Sequence, residues 1–182
     1  MLAYVFCHWK RDDVAAVDYE QWLRDFHGAL RSTPPAAGFN SWSVALTGAS
    51  WANNGENSYE DWYLVRGSAD LDPLNDAAVS AARQVPHDLA ASAAAGGTAG
   101  LYRLRAGHAS GVPRFALWFG KPAGWSYGQL FERLRPLTDG AALWGRQMTL
   151  GPAREFCLHT NQPVELPVGI DAQTIAMRAV FP

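Results

Sequence analysis

Residues 18–30 read Asp18-Tyr19-Glu20-Gln21-Trp22-Leu23-Arg24-Asp25-Phe26-His27-Gly28-Ala29-Leu30. Tyr19, Trp22, Leu23, Phe26 and Leu30 recur at i, i+3, i+4, i+7 and i+11, the apolar stripe of an amphipathic helix, with Asp18 as its expected N-cap. The chain contains this pattern twice. After the cap residue Ser126, the residues Tyr127, Leu130, Phe131 and Leu134 repeat the spacing of Tyr19, Trp22, Leu23 and Phe26. A pattern repeated in register within one chain marks an internal repeat.

The segments around the two helices match as well. Leu2–Lys10 precedes the first, with Tyr4, Phe6 and His8 on one face and Val5, Cys7 and Trp9 on the other, so it reads as a strand covered on both sides. Phe115–Lys121 precedes the second and also ends in lysine. Pro34-Pro35 stops the first helix, and Phe39–Thr47 then alternates as a strand with Trp42, Val44 and Leu46 on one face. A polar Asn-rich loop leads to a strand over Tyr59–Arg66. Asp72-Pro73 opens a second helix, expected to kink at Pro86 and to end in an alanine run. The stretch Gly96-Gly97-Thr98-Ala99-Gly100 reads as a linker or cap before a short strand at Leu101–Arg105. In the second half Glu155-Phe156-Cys157-Leu158 takes the place of Asp61-Trp62-Tyr63-Leu64, and Thr174–Phe181 is the last strand. Pro163–Gly169 is a short connection where the first half has its second helix.

Each half thus reads strand, helix, strand, strand, helix or its remnant, strand, which is the ferredoxin-like order. The expected fold is α+β: two ferredoxin-like repeats, residues 1–106 and a degenerate 112–182, whose antiparallel sheets face each other around a barrel-like core within one chain.

Bulk properties exclude several classes of function. The chain has 182 residues, 48% apolar and 18% charged, which is ordinary for a packed globular protein. A net charge of −2 with no basic run gives no footprint for nucleic acid or an anionic membrane. The first ten residues lack a basic leader, so they read as a strand and the protein as cytoplasmic. Two cysteines, Cys7 and Cys157, both in apparent strands, read as reduced packing residues. There is no Cys/His pair at zinc spacing, no HExxH, no phosphate loop and no serine elbow, so no metal is expected. Eight tryptophans imply an aromatic core and an aromatic-lined cavity.

His27 leads the chemical candidates. It lies about 80° around the helix from Tyr19, at roughly 100° per residue, and so flanks the apolar face. It reads either as a helix-end histidine satisfied by carbonyls or as a general acid or base. Arg135 stands at the matching position in the second half, so an imidazole site there would be one-sided. His8 is either a buried, hydrogen-bonded histidine or a substrate-binding one. Taking Trp62 and Leu64 as the helix-facing side turns Asp61 and Tyr63, with Glu155 and His159, toward the space between the sheets. There such polar groups are paired, exposed at strand ends, or functional. Trp42 and Trp144 are core residues or substrate platforms.

Residues 18–30 also resemble the first-helix signature of the EthD-like family of the dimeric α+β barrel superfamily, an aromatic-rich helix ending in His, Gly or Ala, Pro, Leu. Ala29 stands where that family usually has proline, and Lys10-Arg11 precede the helix as in relatives. The resemblance covers about the first 70 residues and continues beyond them only as fold. It implies a pocket between the sheets for small aromatic or polyketide-like ligands, and a pseudo-dimer fused in one monomer, or else a homodimer. The expected function is cofactor-independent acid–base chemistry on such a substrate, of lyase, isomerase or monooxygenase type, with His27, Tyr63 and Asp61 catalytic. His8, Trp42, Trp144, Glu155 and His159 would bind substrate. The alternative is a non-catalytic carrier of an apolar metabolite or of haem.

Overall fold

The computed structural model describes residues 1–47, 57–109 and 111–182. The elements run β1 (Leu2–Lys10), α1 (Ala16–Ser32), β2 (Asn40–Thr47), β3 (Ser58–Val65), α2 (Leu71–Ala78), α3 (Gln84–Ala93) and β4 (Ala94–Gly107), followed by β5 (Phe115–Phe119), α4 (Tyr127–Leu134), β6 (Ala142–Arg146), β7 (Phe156–Thr160) and β8 (Ala172–Phe181). The strands close into one antiparallel barrel in the order β1-β3-β2-β8-β5-β7-β6-β4. The first half contributes β4-β1-β3-β2 and the second β8-β5-β7-β6, joined at the β2–β8 and β4–β6 seams.

Closure explains why both strand faces are apolar. The inner face packs Val5, Cys7, Trp42, Trp62, Trp118 and Trp144 into one cluster, the four indoles being essentially inaccessible to solvent. The outer face of the first half lies under α1, α2 and α3, which bring Tyr19, Phe26 and Leu30 onto Tyr59, Tyr63 and Val65. In the second half α4 alone sets Leu130 and Leu134 on Leu117, Phe119, Phe156 and Leu158.

The Asn-rich loop falls almost wholly outside the described residues. Helix α1 starts at Ala16, so Asp18 lies in its first turn instead of capping it. There it still complements the positive end of the helix. Ser126 does cap α4, in a box with Gln129. The helix expected to kink at Pro86 is two helices, α2 and α3, with Pro86 in the first turn of α3. A ring without an N–H is tolerated there and not in a helix interior. The segment Gly96–Gly100 is no linker: it is the middle of β4, paired along β1. A Cβ on Gly97 would stand 2.6 Å from the Phe6 ring, and one on Gly96 would stand 2.6 Å from Trp9. Glycine is set there by its neighbours' bulk, overriding weak strand propensity.

Candidate active site

On the outer face of the sheet, β1 and β3 place His8 opposite Tyr59 and Phe6 opposite Asp61, so His8 and Asp61 are diagonal neighbours on one face. Tyr63 follows two residues along the same face. Helix α1 crosses above and supplies Tyr19 and His27, while Ser41 comes from β2 beside Tyr63. Apart from the half-buried Phe6, all of these side chains are buried, His27 and Ser41 completely.

Asp61 is the centre of the group. Its Oδ2 lies 3.2 Å from His8 Nε2 and accepts a hydrogen bond of 3.1 Å from the Tyr63 hydroxyl, and its Oδ1 lies 3.3 Å from His27 Nε2. The outer nitrogens are engaged too, His8 Nδ1 with the Tyr19 hydroxyl at 2.7 Å and His27 Nδ1 with the Ser41 hydroxyl at 2.8 Å. A carboxylate offers only lone pairs, so the network assigns the ring hydrogen to Nε2 of both histidines. Each Nδ1 then accepts from its hydroxyl. His27 is also stacked on Tyr63, with ring centroids 5.2 Å apart and planes 5° from parallel.

Burial alone would raise the Asp61 carboxyl, but the two imidazoles against its oxygens hold it well below the usual carboxylate range. Burial first, and the Asp61 charge second, push the Tyr63 and Tyr19 phenols well above their ordinary value. At neutral pH both are O–H donors beside an ionised Asp61.

This group borders a cavity of about 880 Å³. The cavity lies between the outer face of β1, β3 and β4 and the three helices of the first half. Tyr4, Phe6, His8, Tyr19, Asp61 and Tyr63 form one side, and Leu74 of α2 and His87 of α3 stand across from them. Its floor is the small-residue stretch of β4, including Gly97 and Ala99. Truncated floor residues and an alanine-rich α3 leave a space that larger side chains would fill.

The expected site is thus partly relocated. Asp61, Tyr63 and His8 do come together, and His27 joins them from behind, reaching Asp61 without lining the cavity. Their space, however, is beneath the helices and not between the sheets. Trp42, Trp144 and His159 face the barrel interior, and Glu155 precedes β7 and accepts a 2.7 Å hydrogen bond from the Tyr127 hydroxyl. The reversal has a definite cause. Val5 pairs with Trp62 and Ala116 with His159, so Asp61 corresponds to Leu158 and not to Glu155, an offset of three. An odd offset turns every side chain to the opposite face. The interior, filled by indoles, is the more apolar side of β3.

Tyr19 and Ser41 were missed. In sequence Tyr19 belongs to the apolar stripe, and nothing local distinguishes a serine that meets a histidine 14 residues before it. Glu60 was missed as well. It is buried inside the barrel, takes a 3.0 Å hydrogen bond from Trp62 Nε1, and is pushed up by burial to about 7.

No family model matches the chain, and no curated protein matches it. Solved structures do. A "putative monooxygenase" from Fusobacterium nucleatum superposes with a TM-score of 0.61 at 8% identity, over 98% of this chain and 92% of that one. A second protein of the same description, from Lactobacillus acidophilus, gives 0.55 at 9% identity over 97% and 93%. A "putative chlorite dismutase" gives 0.52 at 9% identity over 99% and 96%. At these identities the likeness is one of fold. The chain shares the overall fold of these proteins, its own strands closing into an eight-stranded antiparallel barrel.

Proposed function

We propose that this chain is a small-molecule enzyme of cofactor-independent acid–base chemistry, acting on a hydrophobic aromatic or polyketide-like compound in the cavity beneath α1, α2 and α3. One observation carries the reading: a buried carboxylate, Asp61, is held between two imidazoles at the wall of a cavity of about 880 Å³. Burying a charge is costly, and an ion with partners at both oxygens at the wall of a cavity is what a proton-transfer site requires.

His8 and Tyr19 do the chemistry in this reading. A substrate proton passes to the Tyr19 oxygen as Tyr19 passes its own to His8 Nδ1, and Asp61 at Nε2 offsets the imidazolium charge. This is the logic of a hydroxyl, a base and an orienting carboxylate. Tyr63 and His27 position Asp61. The names of the structural neighbours support a small-molecule enzyme on this fold. The matching strand order of the two halves supports a fused pair of ferredoxin-like repeats, 1–106 and 112–182, with the EthD-like signature in the first.

Haem is the alternative ligand, and the residues present do not fit it at the cluster. Each Nδ1 of His8 and His27 is taken by a hydroxyl and each Nε2 faces an Asp61 oxygen at 3.2 or 3.3 Å, and no lysine or arginine lines the cavity to meet propionates.

The test is deuterium uptake by aromatic 1,3-diketones in labelled buffer, followed by NMR. The protein should accelerate exchange over buffer, and His8→Ala should lose about 10²-fold or more of that acceleration. Full acceleration by His8→Ala, or a Soret band shift on adding haem, would overturn the reading.

A further inference from the structure

The cavity walls carry information about charge as well as size. The chain has fifteen lysines and arginines, and none of them lines the cavity. The residues outside the described set, 48–56 and 110, contain no lysine or arginine either, so the sequence holds no hidden cation there. Two carboxylates do line it. Asp61 is on the inner wall, and Asp72 is exposed at the start of α2. An anion could otherwise use the positive end of that helix, but Asp72 sits in its first turn and already complements it. Asp70, just before, accepts from the backbone N–H groups of Arg66 and Gly67.

The remaining surface favours a flat, uncharged ring. Phe6 and Phe26 present aromatic walls, the Phe6 ring lying over Gly97, and Ala99 of β4 adds only a methyl group. Asn75 and Thr149 line this space, as does His87, whose Nδ1 lies 3.0 Å from Asp88, and the inner wall adds the phenols of Tyr19 and Tyr63 and the imidazole of His8. They can meet a ring hydroxyl or carbonyl, whereas a carboxylate would face Asp61 with no cation to offset it.

From this charge pattern we infer that the cavity selects uncharged aromatic ligands bearing a hydroxyl or carbonyl and rejects aromatic carboxylates, with Asp72 as the specificity-determining residue at the entrance. The inference rests on the cavity being the ligand site, as proposed above. It also narrows the chemistry, since reactions that begin from a carboxylate anion, decarboxylation among them, do not suit this lining. Enolisation, cyclisation and dehydration of neutral aromatic ketones and phenols do.

The test needs binding alone, so it can fail independently of catalysis. Binding of 2-naphthol and of 2-naphthoate, which share a ring system and differ in charge at neutral pH, is measured by calorimetry on the wild type and on two variants. Wild type should bind 2-naphthol at least tenfold more tightly than 2-naphthoate. Asp72→Lys should narrow that ratio at least threefold by improving 2-naphthoate. Ala99→Trp, which fills the floor from a position facing the cavity, should abolish binding of 2-naphthol, with its thermal transition used to confirm that it folds. Equal or tighter binding of 2-naphthoate by wild type overturns the inference. So does a ratio unmoved by Asp72→Lys, persistence of 2-naphthol binding in Ala99→Trp, or no binding of 2-naphthol at all. Selective binding without any acceleration of deuterium exchange would leave this inference standing and remove the catalytic reading.

Discussion

The two halves of the barrel share a strand order and differ in what they hold against their helices. In the first half the outer face of β1 and β3 carries His8, Asp61 and Tyr63 beneath α1, with an open cavity beside them. In the second half the positions aligned with His8 and Asp61 are Phe119 and Leu158, and α4 closes down on them with Leu130 and Leu134. One half is a filled apolar core. The other keeps a hollow and a charge. A fold of this size is stable with both outer layers filled, so the polar cluster and the hollow are departures from what stability needs. Such departures gather where chemistry is done.

Exchanging the defining residues between the halves tests whether pairing is what holds the charge. Leu158→Asp puts a carboxylate into the second half with no imidazole to meet it, and an uncompensated buried charge should cost about 5 kcal/mol at neutral pH. The loss should shrink as pH falls and the new group protonates, which urea titrations across pH would show. A cost under about 1 kcal/mol would mean that pairing is not what keeps Asp61 in place. The reverse change, Asp61→Leu, leaves His8 Nε2 and His27 Nε2 buried without an acceptor. It should cost about 3 kcal/mol and abolish any acceleration of deuterium exchange.

Much of this contrast was legible in the sequence. The recurring helix stripe and the alternating strands placed eleven of the twelve helices and strands near their places, counting the split second helix as two; only β6 was given no residues. The one-sidedness of the site was legible in His27 against Arg135 and in His8 against Phe119. The location of the site was not. When a strand is buried on both faces, alternation cannot say which face is inside. An alignment shifted by three then reversed the inner and outer faces of β3. The cavity was equally invisible, because the small residues of β4 that line it, Gly97 and Ala99 among them, look in sequence like a linker.

The barrel interior extends the comparison to a second pair of buried titratable groups. Glu60 and His159 lack the paired geometry of Asp61, so burial moves each toward its neutral form, Glu60 up to about 7 and His159 down to about 3. The Glu60 contribution to stability is complete below its unfolded value near pH 4 and is lost as pH rises through about 7. His159 behaves in the opposite sense, its contribution being complete above about pH 6.5 and lost as pH falls toward about 3. Glu60→Gln should therefore stabilise the protein at about pH 8 by up to about 3 kcal/mol and have little effect at about pH 4. Thermal denaturation at the two pH values checks it. A gain of the same size at both would show that packing, and not ionisation, separates the variants.

The smallest expected effect asks how far the site extends behind the cavity. Ser41 touches neither cavity nor Asp61, and its hydroxyl meets only His27 Nδ1 in this network. Ser41→Ala leaves that nitrogen buried with no donor, at a cost of about 1 kcal/mol, while the backbone carbonyl of Ser41 keeps its bond from Arg31. His27 remains clamped by its stack on Tyr63 and its contact with Asp61. If His27 only positions the carboxylate, exchange catalysed through His8 and Tyr19 should fall about two- to threefold, with the pH dependence of the rate unchanged. A loss as large as that of His8→Ala would mean that the proton leaves the cavity through Asp61 to His27 and Ser41. The site would then be a conduit across the layer beneath α1, with both imidazoles carrying the proton in turn.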